Sequence, residues 1–393
     1  MLGDLHQNVR ILLLTTSIMS LSFGLSYPYL SEYIYGISGS ASMIGTIIST
    51  RSAVCILALI LGGYLGDKLG RKRTTGIGTI LLGVAQLIYA SALGTQGLFA
   101  AAICEGLSAI YFPSFNAIIM DTTAQDHLTR VFTLSFIVEH IPYTLTPVLG
   151  GFMRDSYGIL GLRWGFVACG VATVIMGLVR VRLLSETISG SGRVNLKILW
   201  EAYRSLPRDF LDIKRKVRQL VLLRSFCLIT AISIFYYFAV LYATRYTQAL
   251  SFTEWGLITA IASFFTLLSL PLSNIIGGSR LIPLYSCLIF IEGLAVAVFI
   301  IQIKLTIAIS IILLNICGAV TYAIERGVIA RETERGVRAR AETFMILSYY
   351  LGDALGSYIG GIVYALYPPI VFPTAFMLLV IGSIFGFITL KNS

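Results

Sequence analysis

The sequence predicts an all-α polytopic membrane protein with twelve transmembrane helices in two pseudo-symmetric six-helix bundles. Of the 393 residues, 56% are hydrophobic and only 12% are charged, with a mean hydropathy of +0.85, whereas soluble domains contain about one quarter charged residues. Apolar stretches long enough to cross a bilayer as a helix, about 20 residues each, recur along the whole chain. Finally, the connections between these stretches are alternately rich and poor in Lys and Arg.

The apolar stretches define the twelve spans. Their approximate bounds are 11–33, 41–64, 75–93, 98–120, 131–153, 164–182, 219–244, 255–277, 281–302, 305–326, 343–366 and 370–390. The first span follows a short polar start and has no small-residue cleavage site, so we expect it to be retained.

The basic residues predict the orientation of the spans. Connections on the side of the N-terminus hold most of them, in the segments 68–73, 130, 183–218, 280 and 326–340. The other side holds only Arg154, Arg163, Arg245 and Lys304. Because cytoplasmic connections are enriched in Lys and Arg, we expect both termini in the cytoplasm and the protein in the cell (plasma) membrane. These connections also account for the net charge of +10 without a nucleic-acid partner.

The longest polar stretch divides the chain into three parts. They are an N-terminal six-helix bundle (1–182), a cytoplasmic linker with an amphipathic basic helix (183–218) and a C-terminal six-helix bundle (219–393). SGSGR at 189–193 predicts a flexible linker, and 196–218 an interfacial helix.

The two halves of the sequence resemble each other weakly. Arg130 and the pair Gly150-Gly151 are matched by Arg340 and the pair Gly360-Gly361. The end of span eight, LPLSNIIGGSR, has Asn274 where the end of span two has Asp67. Such a repeat is typical of a duplicated transporter architecture.

The sharpest motif, GYLGDKLGRK from Gly63 to Lys72, lies in the predicted turn between spans two and three. Gly63 and Gly66 allow span two to approach a neighbouring helix closely, and Gly70 permits a tight turn. Asp67 can cap a helix N-terminus or pair with Arg71.

This motif resembles the G-x-L-[AG]-D-[RK]-x-G-R-[RK] signature of the major facilitator superfamily of secondary transporters, with Thr75 in place of the usual closing aliphatic residue. The resemblance covers the whole chain and implies the superfamily fold, alternating access and a monomer. It also implies a gating role for the motif residues Gly63, Gly66, Asp67, Gly70 and Arg71, with Asp121 as a further member. The alternative, a purely topogenic basic cluster, is favoured for Lys72 and Arg73.

Other marks of the superfamily are incomplete. Span four has Gly106, but Ala102 stands where multidrug and antiport members often carry Arg. Span five retains Pro147 and Gly150-Gly151 of the antiporter signature and lacks its first glycines. Both departures disfavour a drug/proton antiporter. The triplet Ser185-Glu186-Thr187 resembles a common family element after span six.

Ionisable residues inside the spans are candidates for function, because a charge in a bilayer must be paired or hydrated. Arg51 and Glu105 lie at comparable depths and are expected to form an ion pair, with a structural role or a role in the substrate cavity left open. Glu139 and Asp353 lie near the middle of spans five and eleven and are the candidates for proton coupling. His140 and Glu292 are interpreted as structural residues.

Polar residues deep in the second half suggest a cavity for an organic solute. Tyr236 and Asn315 are the candidates there. Aromatic residues near span ends are interpreted as interface anchors instead; they are Tyr33, Tyr35, Tyr242 and Tyr367. The six cysteines and three histidines are too scattered for a metal site, and no cofactor is expected.

These features predict secondary active transport of a small organic solute, coupled to protons. Multidrug-type efflux by proton antiport is the alternative. The sequence has no G-x-x-x-x-G-K-[ST] loop for ATP and no HExxH or GxSxG element of a membrane-embedded enzyme. A non-transporting sensor is disfavoured because the intramembrane acids are retained. The expected partners are the solute, protons and the lipid bilayer.

Overall fold

The computed structural model describes residues 5–124, 127–188, 196–269, 281–333 and 335–390. These residues form helices and contain no strand. Eight helical segments are long and apolar enough to cross a membrane, and the apolar helices Phe252–Leu267 and Pro283–Phe299 are shorter. Within the described residues, helical structure is present in each of the twelve predicted spans, so the all-α polytopic prediction is confirmed.

The described chain forms two compact units. The first contains residues 1–38 and 50–204, and the second contains residues 39–49 and 205–393. The helices from the N-terminus to the end of the predicted linker are α1 Gln7–Phe23, α2 Leu30–Ser38, α3 Ala41–Leu69, α4 Arg71–Ser91, α5 Thr95–Ser108, α6 Tyr111–Asp121, α7 Leu128–His140, α8 Thr146–Tyr157, α9 Ile159–Leu183 and α10 Leu196–Leu211.

The remaining helices belong to the second unit. They are α11 Arg215–Leu223, α12 Thr230–Leu241, α13 Phe252–Ser269, α14 Leu281–Phe299, α15 Lys304–Glu332, α16 Arg335–Leu366 and α17 Val371–Phe385. Between α11 and α12 the helix continues as a π-helical turn, Arg224–Ile229, and π-helical turns also follow α12 and α17.

Three predicted spans are interrupted. Span four breaks between α5 and α6, at Ala109 and Ile110. In span one the helix stops at Phe23 and resumes through the 3₁₀ turn Tyr27–Tyr29, which contains Pro28. Span five stops at His140, and the 3₁₀ turn Ile141–Thr144 leads into α8, which has Pro147 in its first turn. Proline has no backbone N–H to donate within a helix. The interruptions in spans one and five therefore lie beside prolines.

Two predicted boundaries also differ. Helix α3 extends to Leu69, so Gly63, Gly66 and Asp67 lie in its last turns and not in the connection, where only Gly70 remains. The amphipathic helix of the linker ends at Leu211, and the last residues of the expected 196–218 helix start α11.

Several residues named in the sequence lie outside the described residues. They are the linker 189–193 and the segment 270–280 with Asn274. The side chains of Arg130 and Arg340 are likewise not described.

Small residues bring α4 and α9 into close contact in the first unit. A Cβ atom placed on Gly83 would lie 2.6 Å from the backbone nitrogen of Val174 and 2.9 Å from the carbonyl oxygen of Gly170. Backbone atoms cannot move aside as a side chain can. Small residues are the usual way for membrane helices to approach this closely.

We expect Gly83→Ala to destabilise the protein by about 1–3 kcal/mol, because the added methyl group overpacks the contact between α4 and α9. The measurement is the midpoint of thermal unfolding of the purified protein. Gly94→Ala is the matched control, since a Cβ at Gly94 meets no atom within 4 Å. Equal midpoints for the two variants would contradict this account of the helix contact.

Candidate functional site

The motif residues form a charged cluster where α3 meets α4. The guanidinium of Arg71 contacts the carboxylate of Asp121 at the end of α6, and its Nη2 lies 3.8 Å from Oδ1 of Asp67. The side chain of Asp67 is 69% exposed. The structure therefore brings together the three charged residues that the motif singled out.

The glycines of the motif lie against the junction of α5 and α6. A Cβ on Gly62 would overlap the backbone of Ile110, and one on Gly66 would overlap the side chain of Ser114. At Gly63 the nearest atom, Cβ of Pro113, is 4.0 Å away. Gly66 thus faces the close helix contact, whereas Gly63 lies at its margin.

The N-terminus of α4 is capped by Glu186, a residue to which the sequence assigned no role. Its Oε1 accepts a hydrogen bond from the backbone N–H of Arg71 at 2.9 Å, and the N–H of Lys72 lies 3.3 Å from Oε2. A carboxylate at this position satisfies free N–H groups and favours the helix dipole. Asp67 is not the cap, so of its two predicted roles only the pairing with Arg71 is observed.

Two contacts prepare this capping site. Gly70 has φ +100°, a conformation that favours glycine, and a Cβ there would collide with the carboxylate of Glu186. Asn8 holds the segment before Glu186: its Oδ1 accepts from the N–H of Ser185 at 2.8 Å, and its Nδ2 donates to the Ser185 carbonyl at 3.0 Å. The sequence singled out the triplet that begins at Ser185, but it did not reveal that Glu186 contacts the N-terminus of α4.

Arg51 and Glu105 meet inside the first unit. Nη1 of Arg51 lies 3.6 Å from Oε1 of Glu105, and both residues are buried. The hydroxyl of Tyr27 contacts Arg51 and donates to Oε1 of Glu105 at 3.3 Å. A Cβ on Gly106 would lie 2.7 Å from the carbonyl oxygen of Arg51, so the helices approach closely beside the pair. Arg51 and Glu105 therefore lie at matching depths, as expected from the sequence, and Tyr27 joins their contact.

A second buried arginine, Arg180, was missed in the sequence. Its Nε and Nη1 donate to Thr15 at 2.9 Å and Thr79 at 2.8 Å, and its Nη2 donates to Thr16 at 2.8 Å. The rings of Tyr111 and Phe115 lie 5.9 and 5.4 Å from its Cζ. Hydroxyl and ring contacts stabilise this cation. Because Arg180 lies near the end of predicted span six, the sequence suggested only that it was one of the basic residues flanking the next connection.

Glu139 and His140, although adjacent, have different surroundings. His140 shares a hydrogen bond with the carbonyl of Phe136 at 2.9 Å and stacks on that ring at 3.8 Å. Its ring is thus held by its own helix. Glu139 is exposed, lies near the middle of the segment 128–157, and interacts electrostatically with Tyr111.

Asp353 is buried between α12 and α16. Its Oδ1 accepts hydrogen bonds from Oγ of Ser233 at 2.8 Å and from the hydroxyl of Tyr237 at 2.9 Å. A Cβ on Gly356, one turn further along α16, would lie 2.8 Å from Cβ of Ser233. Close packing therefore holds this carboxyl against the polar side chains of span seven.

Tyr236 and Asn315 lie close to each other in the second unit. Tyr236 is 46% exposed, although it lies in the middle of a span. Its hydroxyl faces the side chain of Asn315, whose Nδ2 donates to the carbonyl of Ile311 at 2.8 Å. The two predicted cavity residues thus form one polar patch.

Two tyrosines interpreted as interface anchors are core residues instead. Tyr33 is buried, and its hydroxyl donates to the carbonyl of Tyr89 at 2.6 Å. Tyr242 is buried near the rings of Phe299 and Phe372. Position near a span end does not reveal which way a side chain points, so these two interpretations were wrong.

The second unit contains a further charged cluster, named here the Arg224 cluster: Arg224, Tyr285, Glu292, Thr321 and Glu325. Nε of Arg224 lies 3.1 Å from Oε2 of Glu325, whose Oε1 accepts from the hydroxyl of Tyr285 at 2.8 Å. Oε1 of Glu292 accepts from Thr321 at 3.4 Å. Arg224 and Glu325 lie at the edges of predicted spans and were not noticed in the sequence.

Helices of membrane-spanning length with paired charges in their interior define an integral membrane protein of the polytopic α class. A family model described as Major Facilitator Superfamily matches residues 12–290. The chain belongs to this superfamily, and the resemblance stated for its motif is confirmed.

The chain is similar in sequence to two relatives and in fold to one solved structure. The Na(+), Li(+), K(+)/H(+) antiporter of Planococcus maritimus is 25% identical over 192 residues, which are 47% of this chain and 44% of that protein. Quinolone resistance protein NorA of Staphylococcus aureus (strain MRSA252) is 23% identical over 208 residues, which are 51% of this chain and 53% of that protein. The chain spans about half the length of the curated relatives it matches.

The solved structure is that of a POT family transporter in complex with 5-aminolevulinic acid. It superposes with a TM-score of 0.79 over 98% of this chain and 97% of that chain, at 13% identity. This likeness concerns the fold, and it confirms the predicted superfamily architecture.

The capping contact predicts the effect of changing Glu186. We expect Glu186→Ala to lower the free energy of unfolding by about 0.5–2 kcal/mol, because the first N–H groups of α4 lose their acceptor. Glu186→Gln should lose less, since it keeps an acceptor oxygen. Thermal unfolding of the purified variants measures both, with the exposed Glu201→Ala as control. A loss no larger than in this control would argue against the cap.

The Arg51–Glu105 contact predicts a strong coupling. We expect Arg51→Gln and Glu105→Gln each to cost about 3–5 kcal/mol, because each leaves its partner's charge buried without the opposite one. The double variant should lose less than the sum of the two. Thermal unfolding of the four proteins measures the coupling.

The exposed pair Lys304 and Glu254 provides the comparison. The same cycle there should give a coupling of about 1 kcal/mol or less. Additive effects of the two substitutions at Arg51 and Glu105 would show that the buried contact contributes no pair energy.

Proposed function

We propose that this protein is a secondary active transporter that moves a small organic solute by alternating access and is coupled to protons. Membership of the superfamily supports the class of activity. The ionisable groups inside the spans support the coupling, because such groups are rare in bilayers and mark ion or substrate pathways.

The observation that carries the proposal is the exposure of Glu139 near the middle of a span. A carboxyl at that depth costs several kcal/mol if it faces lipid. Glu139 lies within electrostatic range of Tyr111, whose ring is 5.9 Å from Cζ of the buried Arg180, which supports a position on the polar side of the first unit. The proposal is that water reaches this exposed carboxyl, because proton-coupled transport requires a hydrated carboxyl in the membrane interior.

The other candidate residues divide into three roles. Glu139 and Asp353 exchange protons. Arg51, Glu105, Tyr236 and Asn315 line the path of the solute and provide both charges and hydrogen-bonding groups. The cluster of Asp67, Arg71 and Asp121, with the glycines of the motif, forms and breaks its ion pairs as the transporter changes conformation.

Multidrug-type efflux by proton antiport is the alternative. The two relatives favour it, since one is a cation/proton antiporter and the other a quinolone resistance protein. Ala102 and the incomplete motif of span five favour symport or an exporter of another class instead. The sign of proton movement during transport separates the two.

Further parts of the proposal come from the sequence. The distribution of Lys and Arg supports cytoplasmic termini and an orientation with Arg71 on the cytoplasmic side. We also propose that the protein resides in the plasma membrane, works as a monomer, and has no nucleic-acid partner and no cofactor.

The proposal is tested in proteoliposomes that contain a pH-sensitive dye, with sugars, carboxylates, amino acids and lipophilic cations added in turn. We expect one class to trigger a proton flux, inward for symport and outward for antiport under matched gradients. Silence with every class would contradict proton coupling.

Glu139→Gln should abolish uphill transport and leave solute exchange partly intact, because an amide cannot carry the proton. The exposed Glu201→Gln is the control and should transport as the unmodified protein does. Undiminished uphill transport by Glu139→Gln would remove Glu139 from the mechanism.

A further inference from the structure

The Arg224 cluster lies apart from the residues to which the proposed function assigns a role. Glu292 in the middle of α14 is 1% exposed, and Glu325 on α15 is equally buried. Tyr285 lies about two turns before Glu292 on the same face of α14 and within electrostatic range of Arg224, Glu325 and Glu292. Three ionisable side chains from three spans therefore surround one tyrosine in an apolar interior.

The charges of this cluster do not balance if both carboxyls are ionised. The guanidinium of Arg224 contacts Glu325 and also donates to the carbonyl of Met345 at 3.1 Å. Glu292 would then hold a second negative charge with no cation opposite it. An uncompensated carboxylate in a buried site costs several kcal/mol.

The hydrogen bonds of Glu292 fit a neutral acid. Oε1 accepts one long hydrogen bond from Thr321, whereas Oε2 has no partner among the described residues. A carboxylate needs donors at both oxygens. An oxygen without a hydrogen-bond donor costs less free energy in a protonated carboxyl than in a carboxylate, because the protonated group carries no net charge.

Within the described ranges no second cation pairs with Glu292: on α15, Lys304 contacts Glu254 and Arg326 contacts Glu342. From α15, Glu325 and the thiol of Cys317 face Glu292. The segment 371–390, which includes α17, has no ionisable side chain. Metal cations in proteins are held by several converging ligands, and no group of three or more His, Cys, Asp or Glu side chains is present within the described ranges.

We propose that Glu292 is a proton-binding site, separate from Glu139 and Asp353, in which the Arg224–Glu325 pair supplies the fixed opposite charges. Arg224 stands at the start of the π-helical turn Arg224–Ile229. Such irregular turns often occur at functional sites. A shift of this turn that moves the guanidinium from Glu325 to Glu292 would stabilise the carboxylate and release the proton.

Infrared spectroscopy of the purified protein at neutral pH tests the site. We expect a C=O stretching band of a protonated carboxyl that shifts in D2O and that disappears in Glu292→Gln. Glu254→Gln is the matched control: the hydrogen bond from Lys304 lowers the pKa of Glu254, which lies just before span eight, so its carboxyl adds no such band. A spectrum that is the same in the unmodified protein and in Glu292→Gln would overturn the proposal.

A second variant keeps the test independent of how Glu292→Gln folds. Glu325→Gln frees Arg224 to pair with Glu292, so the band should also be lost there while Glu292 is still present. Persistence of the full band in Glu325→Gln would contradict the role of Arg224. The spectra need neither solute nor gradient, so this outcome is independent of the transport experiments above.

Discussion

The need to compensate charge inside an apolar environment governs the whole structure. Among the described side chains, three arginines are buried in the spans. Each is stabilised differently: Arg51 by a carboxylate and a phenol, Arg180 by three threonine hydroxyls and two rings, and Arg224 by a carboxylate and a carbonyl. In each case, the contacts of the arginine connect side chains or backbone atoms of several helices. The charged side chains therefore determine which helix faces meet, in addition to what the apolar residues contribute by packing.

Close helix packing makes these contacts geometrically possible. Gly106 lets its helix approach the backbone of Arg51, and Gly66 does the same beside Ser114 near the charged end of α3. At that end the turn is held by Gly70, the cap Glu186 and the side chain of Asn8. The conformation at this short glycine-rich motif thus depends on Glu186, a residue more than a hundred positions away in the chain.

The two units place similar residues in different settings. Glu139 in the first unit is exposed, whereas Asp353 and Glu292 in the second are buried and hydrogen-bonded to hydroxyl groups. A buried acid can hold a proton without a metal or cofactor, and an exposed one can exchange it with water. The proposed proton steps therefore need both kinds of surrounding.

The sequence by itself determined the all-α polytopic class, the superfamily and the matching depth of Arg51 and Glu105, because hydropathy, a local motif and the rise of a helix are one-dimensional properties. Only the tertiary structure decided that Glu186 caps α4, that Tyr33 and Tyr242 are core residues, and that Arg180 and Arg224 are buried. These outcomes depend on the rotation of each helix about its axis and on partners distant in the chain. Many side chains act together to determine that rotation, and no local pattern in the sequence records it.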